Sequence, residues 1–329
     1  MQISITDIQP LLTGNKLAEA MKAVHAKRRA LADGFLYEQT INMISADPGC
    51  GKSTISTQIA VELAAGLPVF GVFKVDKPLK VTYVQTERSI IEFLERLDTI
   101  SKVYPIVKEN LFVTDEYQKF NMLDPSHVEL LIKCLKRDCP DADIIFFDPI
   151  YAMVSGGLSA DLPACAFTHA MSRVQKEIGC ALYYNHHTVK QQHDSRGEEI
   201  SKKDPFYGSQ WLKAHVTGSY YMSSSESGVN LTCKKDNYRI LPAQISLYYD
   251  AETELCSIPI TELPPIERVK SFIGVHKVSQ REFSFNDIQA STKLCTRTLR
   301  ALLMHSSIKD TIFVVSSIKN RNLYKVRTA

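Results

Sequence analysis

The sequence predicts an α/β protein in which a mostly parallel sheet carries helices on both faces, followed by a small C-terminal domain. Apolar runs typical of buried strands alternate with helical segments between residues 41 and 187, and this alternation indicates a parallel sheet with crossover helices. Short antiparallel strands are expected to extend the sheet as far as residue 260. The predicted division is an N-terminal helical segment (1–39, with a helix over Lys16–Asp33), an α/β core (40–260), a linker (261–265) and a C-terminal domain (266–329).

One stretch of the core, residues 41–58, has the pattern of a phosphate-binding loop. Its sequence is INMISADPGCGKSTISTQ, an apolar strand followed by a glycine-rich turn and the start of a helix that is expected over Lys52–Ala65. Gly49 and Gly51 let successive N–H groups point at phosphate oxygens, and the helix adds its positive N-terminal end. Lys52 is expected to reach the β- and γ-phosphates, and the Ser53 hydroxyl to bind Mg²⁺. The residues expected to bind ATP are Asp47, Pro48, Gly49, Cys50, Gly51, Lys52, Ser53 and Thr54.

Polar residues follow three further predicted strands. Glu87 comes two residues after a strand expected over Val81–Gln85, and Asp148 ends the next buried strand. His186 and His187 end a third strand, expected over Ala181–His187. Ligands of open α/β sheets bind at the carboxyl ends of the strands. We expect Asp148 to act on Mg²⁺ directly or through water, and Glu87 to orient and deprotonate an attacking water. The histidines are interpreted as γ-phosphate sensors. Two structural alternatives remain: Glu87 could instead interact favourably with the dipole at the N-terminus of the helix expected over Ser89–Ile100, and the histidines could simply be hydrogen-bonded to backbone groups.

The charge of the chain is concentrated at its C-terminus. Residues 264–329 carry 12 basic and 4 acidic residues, whereas the preceding residues carry 27 and 32. Three predicted helices, two of them with expected N-caps at Asn286 and Thr296, are followed by two predicted strands. This order is typical of a winged helix, which can place a helix in a DNA major groove or can bind protein. The expected duplex-DNA contacts are Arg297, Arg300, Lys319, Arg321, Lys325 and Arg327.

A long polar segment, residues 188–207, interrupts the alternation of strands and helices. Segments of this length inside a compact domain are usually functional or disordered. Its cations could contact single-stranded DNA, although acidic residues accompany them. These cations are Lys190, Arg196, Lys202 and Lys203.

Composition sets limits on the cellular setting. The eight cysteines include no C-x-x-C pair, no apolar run reaches the ~18 residues of a membrane span, and the first residues lack a basic signal-peptide region. We therefore expect reduced thiols in a cytoplasmic protein without a membrane partner.

Together these motifs resemble the RecA-like ATPases of the plasmid RepA helicase type, the AAA_25 group, which neighbours the DnaB and KaiC lineages. The resemblance covers residues 34–260 and rests on the order of GFLYEQTINMISADPGCGKST, AAGLPVFG, VTYVQTERSIIEFLERL, IIFFDPI, YYNHHTVK and YGSQWLKAHVTGSYYM. It implies a RecA-like fold, and its motifs match Lys52, Ser53, Glu87, Asp148 and the histidine pair. It also implies a homo-oligomer, commonly a hexameric ring, in which a cation from the neighbouring subunit enters each ATP site.

The chain departs from that family at two places. Ala46 replaces the first glycine of the phosphate-loop consensus, which is tolerable if its φ is negative. Tyr207 stands where the family often has the arginine of an Arg-Gly-Ser motif. The remaining candidates for a cationic finger acting in trans lie in the sequence CKKDNYR and are Lys234, Lys235 and Arg239.

The main interpretation is therefore an ATP-hydrolysing, ring-forming DNA helicase or replication motor of a plasmid, phage or other mobile element. It would use ATP and Mg²⁺, single-stranded DNA at the core loop and duplex DNA at the winged helix. The alternative is an ATP-switched DNA-binding regulator or loader with slow turnover and no unwinding. A small-molecule kinase is a third interpretation, but it gives the basic C-terminal domain no role.

Overall fold

The computed structural model describes residues 13–15, 28–87, 89–104, 109–114, 120–155, 157–188, 210–226, 228–259, 263–279, 282–306, 308–318 and 321–327. Most of the helix expected over Lys16–Asp33 lies outside these residues, and its last part is wrong. Ala30–Ala32 form strand β1, which pairs with β2, Leu36–Tyr37. Gly34 reverses the chain between them with φ 79°, a conformation that glycine adopts without strain.

The main sheet of the described residues has nine strands in the order β11-β10-β9-β8-β3-β7-β6-β4-β5. The strands are β3 (Ile41–Ala46), β4 (Val81–Gln85), β5 (Leu111–Val113), β6 (Ile144–Asp148), β7 (Ala181–His187), β8 (Gly218–Ser225), β9 (Gly228–Asp236), β10 (Gln244–Asp250) and β11 (Leu255–Ser257). Six adjacent strands, β8, β3, β7, β6, β4 and β5, run parallel to one another. Strands β9, β10 and β11 each pair antiparallel with their neighbours. The expectation that β8 would be antiparallel to its neighbours is wrong on one side, because it pairs in parallel with β3.

Helices cover both faces of this sheet, as predicted. They are α1 (Lys52–Ala65), α2 (Ile90–Ser101), α3 (Pro125–Asp138), α4 (Asp161–Ile178) and α5 (Gln210–His215). Helix α1 shares one hydrophobic core with Tyr83 and Phe146, whereas α3 and α4 share another with Phe147 and Tyr184 on the opposite face. Within the described residues, no helix is long and apolar enough to cross a membrane, and the eight cysteines are all free thiols.

A separate hydrophobic core lies in the C-terminal part. Its elements are α6 (Pro265–Ser279), β12 (Phe283–Ser284), α7 (Phe285–Thr292), α8 (Thr296–Leu303), β13 (Ile312–Ile318) and β14 (Arg321–Val326). The strands form a separate sheet in the order β12-β14-β13, and the buried side chains of Val269, Ile288 and Leu299 pack together beside it. Strand β12 was not predicted, because two residues give no periodic pattern.

The helix starts of this part differ from the sequence-based expectation, which placed N-caps at Asn286 and Thr296. Ser284 caps α7 instead, through a reciprocal pair of hydrogen bonds with Asp287, and Cys295 precedes α8. A capping box of this kind satisfies N–H groups at a helix start that would otherwise lack partners. The pattern was present in the sequence, but two residues upstream of the position expected.

A fully buried carboxyl group lies in α1, away from the phosphate-binding loop. Oε1 of Glu62 accepts a hydrogen bond from Gln58 Nε2 (2.9 Å), and Oε2 accepts one from the backbone N–H of Phe70 (3.0 Å). Burial raises the pKa of Glu62 from 4.5 to about 8, against these hydrogen bonds, which lower it. The folded protein therefore holds a proton here that the unfolded chain releases above its own, lower pKa.

We expect this group to make the protein less stable as pH rises between about 4.5 and 8. In that window the folded state binds more protons than the unfolded state, so the free energy of unfolding falls, by about 3 kcal/mol from pH 5 to pH 8. The variant Glu62→Gln has no proton to lose and should remove this dependence. Urea titrations of both proteins at pH 5, 6.5 and 8 measure the difference, and parallel pH profiles would contradict the prediction.

Candidate functional site

The turn between β3 and α1 is shaped by two left-handed glycines. Gly49 has φ 82° and Gly51 has φ 85°, and Gly51 immediately precedes the first residue of α1. The N-terminus of α1 therefore points into the loop, where its free N–H groups favour an anion. Ala46, in place of the first consensus glycine, is the last residue of β3 and lies outside the positive-φ region. It therefore introduces no backbone strain.

Lys52 lies at the centre of this loop and is almost completely buried. Its Nζ donates hydrogen bonds to the carbonyl oxygens of Ala46 (2.8 Å) and Asp47 (2.9 Å). Burial lowers the pKa of Lys52, while nearby acidic groups, among them Asp148 and Glu87, act in the opposite direction. The ammonium group therefore lies within the electrostatic influence of both carboxylates that the sequence assigned to the site.

Asp148 is held by a tyrosine that the sequence analysis did not identify. The Tyr83 hydroxyl donates a 2.6 Å hydrogen bond to Asp148 Oδ2, and burial, followed by the charge of Asp148, raises the pKa of Tyr83 well above its ordinary value. Beside it, in register with Asp148, is Gln85 at the end of β4. The buried Nε2 of Gln85 has no hydrogen-bond partner among the described residues, so its N–H donors remain for a ligand or water.

Ser53 and Asp148 offer oxygen donors of the kind that Mg²⁺ prefers, a hydroxyl and a carboxylate. Since Asp148 Oδ2 accepts from Tyr83, its other oxygen is left for a metal ion or for metal-bound water. No group of three or more His, Cys, Asp or Glu side chains in the described part of the chain could hold a metal ion. Ser53 and Asp148 would therefore be the residues that hold Mg²⁺ here, and the ion would supply positive charge next to the phosphate-binding loop.

Glu87 follows β4 and is exposed at the edge of the site. Its Oε1 accepts a 2.5 Å hydrogen bond from the Tyr151 hydroxyl. The Tyr151 ring in turn packs against His187, with 4.8 Å between ring centroids. The structure therefore brings Glu87 and His187 into contact with one tyrosine, which no motif in the sequence indicates.

The two histidines do not share this environment. Successive residues of a strand point to opposite faces of the sheet, so His187 lies on the face of α1, and the fully buried His186 lies on the face of α4 and α5. On that second face, the neighbouring Tyr184 contacts Phe167 of α4 and His215 of α5. Sensing of the γ-phosphate stays a prediction for the two histidines, but only His187 lies on the face of the helix that follows the phosphate-binding loop, as strand periodicity alone could have shown.

The start of the polar segment is tied to the phosphate-binding loop. The backbone N–H of Thr188 donates to the carbonyl of Ala46 (3.1 Å), and its hydroxyl donates to Asp47 Oδ1. The candidate contacts to single-stranded DNA lie outside the described residues, namely Lys190, Arg196, Lys202 and Lys203.

A cavity of about 720 Å³ opens beside the glycine-rich loop. It extends from the loop to β10 and is bordered by Gly49, Thr54, Met222, Tyr248, Tyr249 and Glu254. Aromatic faces and carboxylates next to a phosphate-binding loop suit the base and the ribose hydroxyls of a nucleotide.

Two of the three finger candidates are engaged within their own chain. Lys235 Nζ donates to the carbonyls of Lys213 (2.6 Å) and Ala214 (3.0 Å) at the end of α5. Lys234 Nζ lies 5.7 Å from the ring centroid of Tyr221. Lys235 therefore stabilises the C-terminal end of α5, where a cation is favourable.

Arg239 is exposed and lies at the opposite end of the sheet from the phosphate-binding loop. It follows β9, whose last residue, Asp236, pairs with Gly218. Gly218 pairs with Asn42 at the amino end of β3, whereas the loop begins after Ala46 at the carboxyl end. At about 3.3 Å per residue, the strand alone separates them by more than about 13 Å.

In the C-terminal part, Arg297 and Arg300 are both exposed on α8. The guanidinium of Arg300 lies 5.9 Å from the ring centroid of Phe285. Lys325 is half-buried and Arg327 is exposed. Lys319 lies outside the described residues, and Arg321 begins β14.

The parallel sheet, the glycine-rich loop before α1 and the carboxylates at the strand ends define a P-loop ATPase with a RecA-like fold. A family model described as an AAA domain, AAA_25, matches residues 9–193. That match spans more than half of the chain, and the chain therefore belongs to the AAA_25 family.

The fold is also similar to that of solved structures. One is a DnaB-like replicative helicase, studied with its interactions with primase, at 13% identity and a TM-score of 0.52, covering 74% of this chain and 66% of that one. Another is the flagellar accessory protein FlaH from Methanocaldococcus jannaschii, at 15% identity and a TM-score of 0.43, covering 67% and 88%. The chain thus spans about two thirds of the length of the helicase. No curated protein matches it.

Proposed function

We propose that this chain is a ring-forming, DNA-dependent ATPase that acts as a helicase or replication motor of a plasmid, phage or other mobile element. The observation that carries the proposal is the common edge of the sheet at which the phosphate-binding loop follows β3, Asp148 ends β6 and Glu87 follows β4, with Lys52 buried in that loop. Similarity of fold to a DnaB-like replicative helicase supports a motor of this kind.

In this proposal the residues divide the work of hydrolysis. Lys52 leaves the carbonyls of Ala46 and Asp47 and binds the β- and γ-phosphates, and the N–H groups of the loop bind the remaining oxygens. Glu87 orients the attacking water and accepts its proton. Ser53 and Asp148 would hold Mg²⁺, which neutralises charge on the phosphates when bound. The cavity beside the loop takes the base and ribose.

Two features support DNA as the partner. Tyr151 contacts both the proposed base Glu87 and His187. The polar segment begins directly after His187, and its first residue, Thr188, is hydrogen-bonded to the phosphate-binding loop. A change at this segment can therefore reach the site through a short chain of contacts. The exposed arginines of α8 and the basic composition of residues 264–329 support a second, duplex-binding surface of winged-helix type.

The DNA part of the proposal predicts two separable effects. Single-stranded DNA should raise the ATPase rate and the protein should displace a strand from a forked duplex. Arg297→Ala with Arg300→Ala should weaken duplex binding about 10-fold and reduce its salt slope by about 2, since two phosphate contacts are lost. Stimulation by single strands should be unchanged, and Lys309→Ala, an exposed cation outside α8, is the matched control.

A second candidate, an ATP-switched DNA-binding regulator or loader, is favoured by Tyr207, which replaces the usual arginine and implies slow turnover. The same assays separate the two. ATP-dependent, site-specific footprints without strand displacement would select the regulator. An assembled ring whose ATPase rate does not change when single-stranded DNA is added would exclude the motor function.

A further inference from the structure

Tyr151 connects two groups that the proposed reaction treats separately. Its hydroxyl donates to Glu87 Oε1 at 2.5 Å, and its ring lies 4.8 Å from the ring of His187. Glu87 lies in a bend and its side chain is exposed, so packing does not select its rotamer. A charge-assisted hydrogen bond of this length restricts a flexible carboxylate far more than solvent would.

The backbone around Tyr151 is fixed by burial and by hydrogen bonds. The residue belongs to a short 3-10 helix, Ile150–Met153, whose two end residues are completely buried. Thr86, immediately before Glu87, donates its hydroxyl to the carbonyl of Pro149 (2.6 Å) and its N–H to the carbonyl of Asp148 (3.0 Å). The ends of β4 and β6 are thus joined just before the two side chains meet, which fixes the direction from which the phenol approaches.

We propose that Tyr151 is a positioning residue that holds the Glu87 carboxylate toward the attacking water and couples its orientation to His187. The inference rests on the proposed role of Glu87 as the base. The polar segment begins at Thr188, directly after His187, so Tyr151 and His187 are the two side chains that connect it to Glu87. A group that acts on the reaction through another residue should change the rate of the chemical step and leave substrate binding alone.

The variant Tyr151→Phe keeps the ring contact with His187 and removes the hydroxyl. We expect it to lower kcat about 10-fold, with KM and the Kd for a non-hydrolysable ATP analogue within about twofold of the unmodified protein. Tyr151→Ala removes both contacts and should also reduce the stimulation of kcat by single-stranded DNA. Tyr324→Phe, which loses a hydroxyl in the C-terminal part, serves as the matched control and should leave kcat unchanged.

Single-turnover rates of Glu87→Gln and of the double variant Tyr151→Phe/Glu87→Gln complete the test. If Tyr151 acts through Glu87, the double variant should be no slower than Glu87→Gln. The inference is overturned by a wild-type kcat in Tyr151→Phe, by a loss confined to KM or Kd, or by a further 10-fold loss in the double variant. Normal turnover by Glu87→Gln alone would instead overturn the assignment of the base, and the inference with it.

Discussion

The variant Glu87→Gln should bind ATP as tightly as the unmodified chain and hydrolyse it about 10³-fold more slowly. The amide oxygen of glutamine can still accept the hydrogen bond that Tyr151 donates to Glu87 Oε1, so the local geometry is retained. The amide cannot accept a proton from water at neutral pH, so the chemical step alone is lost.

Binding of a fluorescent ATP analogue and release of phosphate measure the two effects separately. Glu95→Gln on α2 is the matched control, because Glu95 is an exposed carboxylate on the helix that follows Glu87. It should hydrolyse ATP at the normal rate. Normal turnover by Glu87→Gln would show that another group activates the water, and Asp148 would become the next carboxylate to replace.

Local signals in the sequence were sufficient for the phosphate-binding loop and for most of the fold. Helix α1 runs from Lys52 to Ala65 as predicted, because glycines with left-handed φ stand at both ends, Gly51 (85°) and Gly66 (68°). Gly66 is further required by packing, since a Cβ there would lie 2.9 Å from the backbone nitrogen of Pro78. Strands β4 and β7 also have the predicted bounds, since turn residues delimit their apolar runs.

The side-chain contacts that position the groups of the site could not be predicted from such local signals. Tyr83 reaches Asp148 and Tyr151 reaches Glu87 across separate strands, and such pairs depend on strand order and register, which a single sequence does not encode locally. For the same reason, the parallel pairing of β8 with β3 could not be distinguished from an antiparallel extension. The engagement of Lys235 with α5 likewise depends on where that helix ends in space.

The variant Arg239→Ala should lower kcat about 10³-fold in the assembled protein, the magnitude typical of a cationic finger, without changing the Kd for ATP. Arg239 is proposed for this role because Lys235 is bonded to α5, whereas Arg239 is exposed beyond the amino end of β3. A side chain placed there is remote from the phosphate-binding loop of its own subunit. Its effect on hydrolysis must therefore be exerted on a neighbour.

A mixing experiment tests this directly. Arg239→Ala and Glu87→Gln subunits are each inactive alone, but at a mixed interface the first supplies Glu87 and the second supplies Arg239. If the interfaces are head-to-tail and mixing is random, about one quarter of them should be complete, and the ATPase rate should recover to about that fraction of the unmodified protein. Mixtures that stay inactive although the subunits co-assemble would exclude Arg239 as the finger. Arg239→Ala protein that hydrolyses ATP normally on its own would also exclude Arg239, and Lys234 would then be the next cation of the CKKDNYR segment to test. Recovery in the mixture is the decisive result, because it requires that the missing charge come from the other subunit.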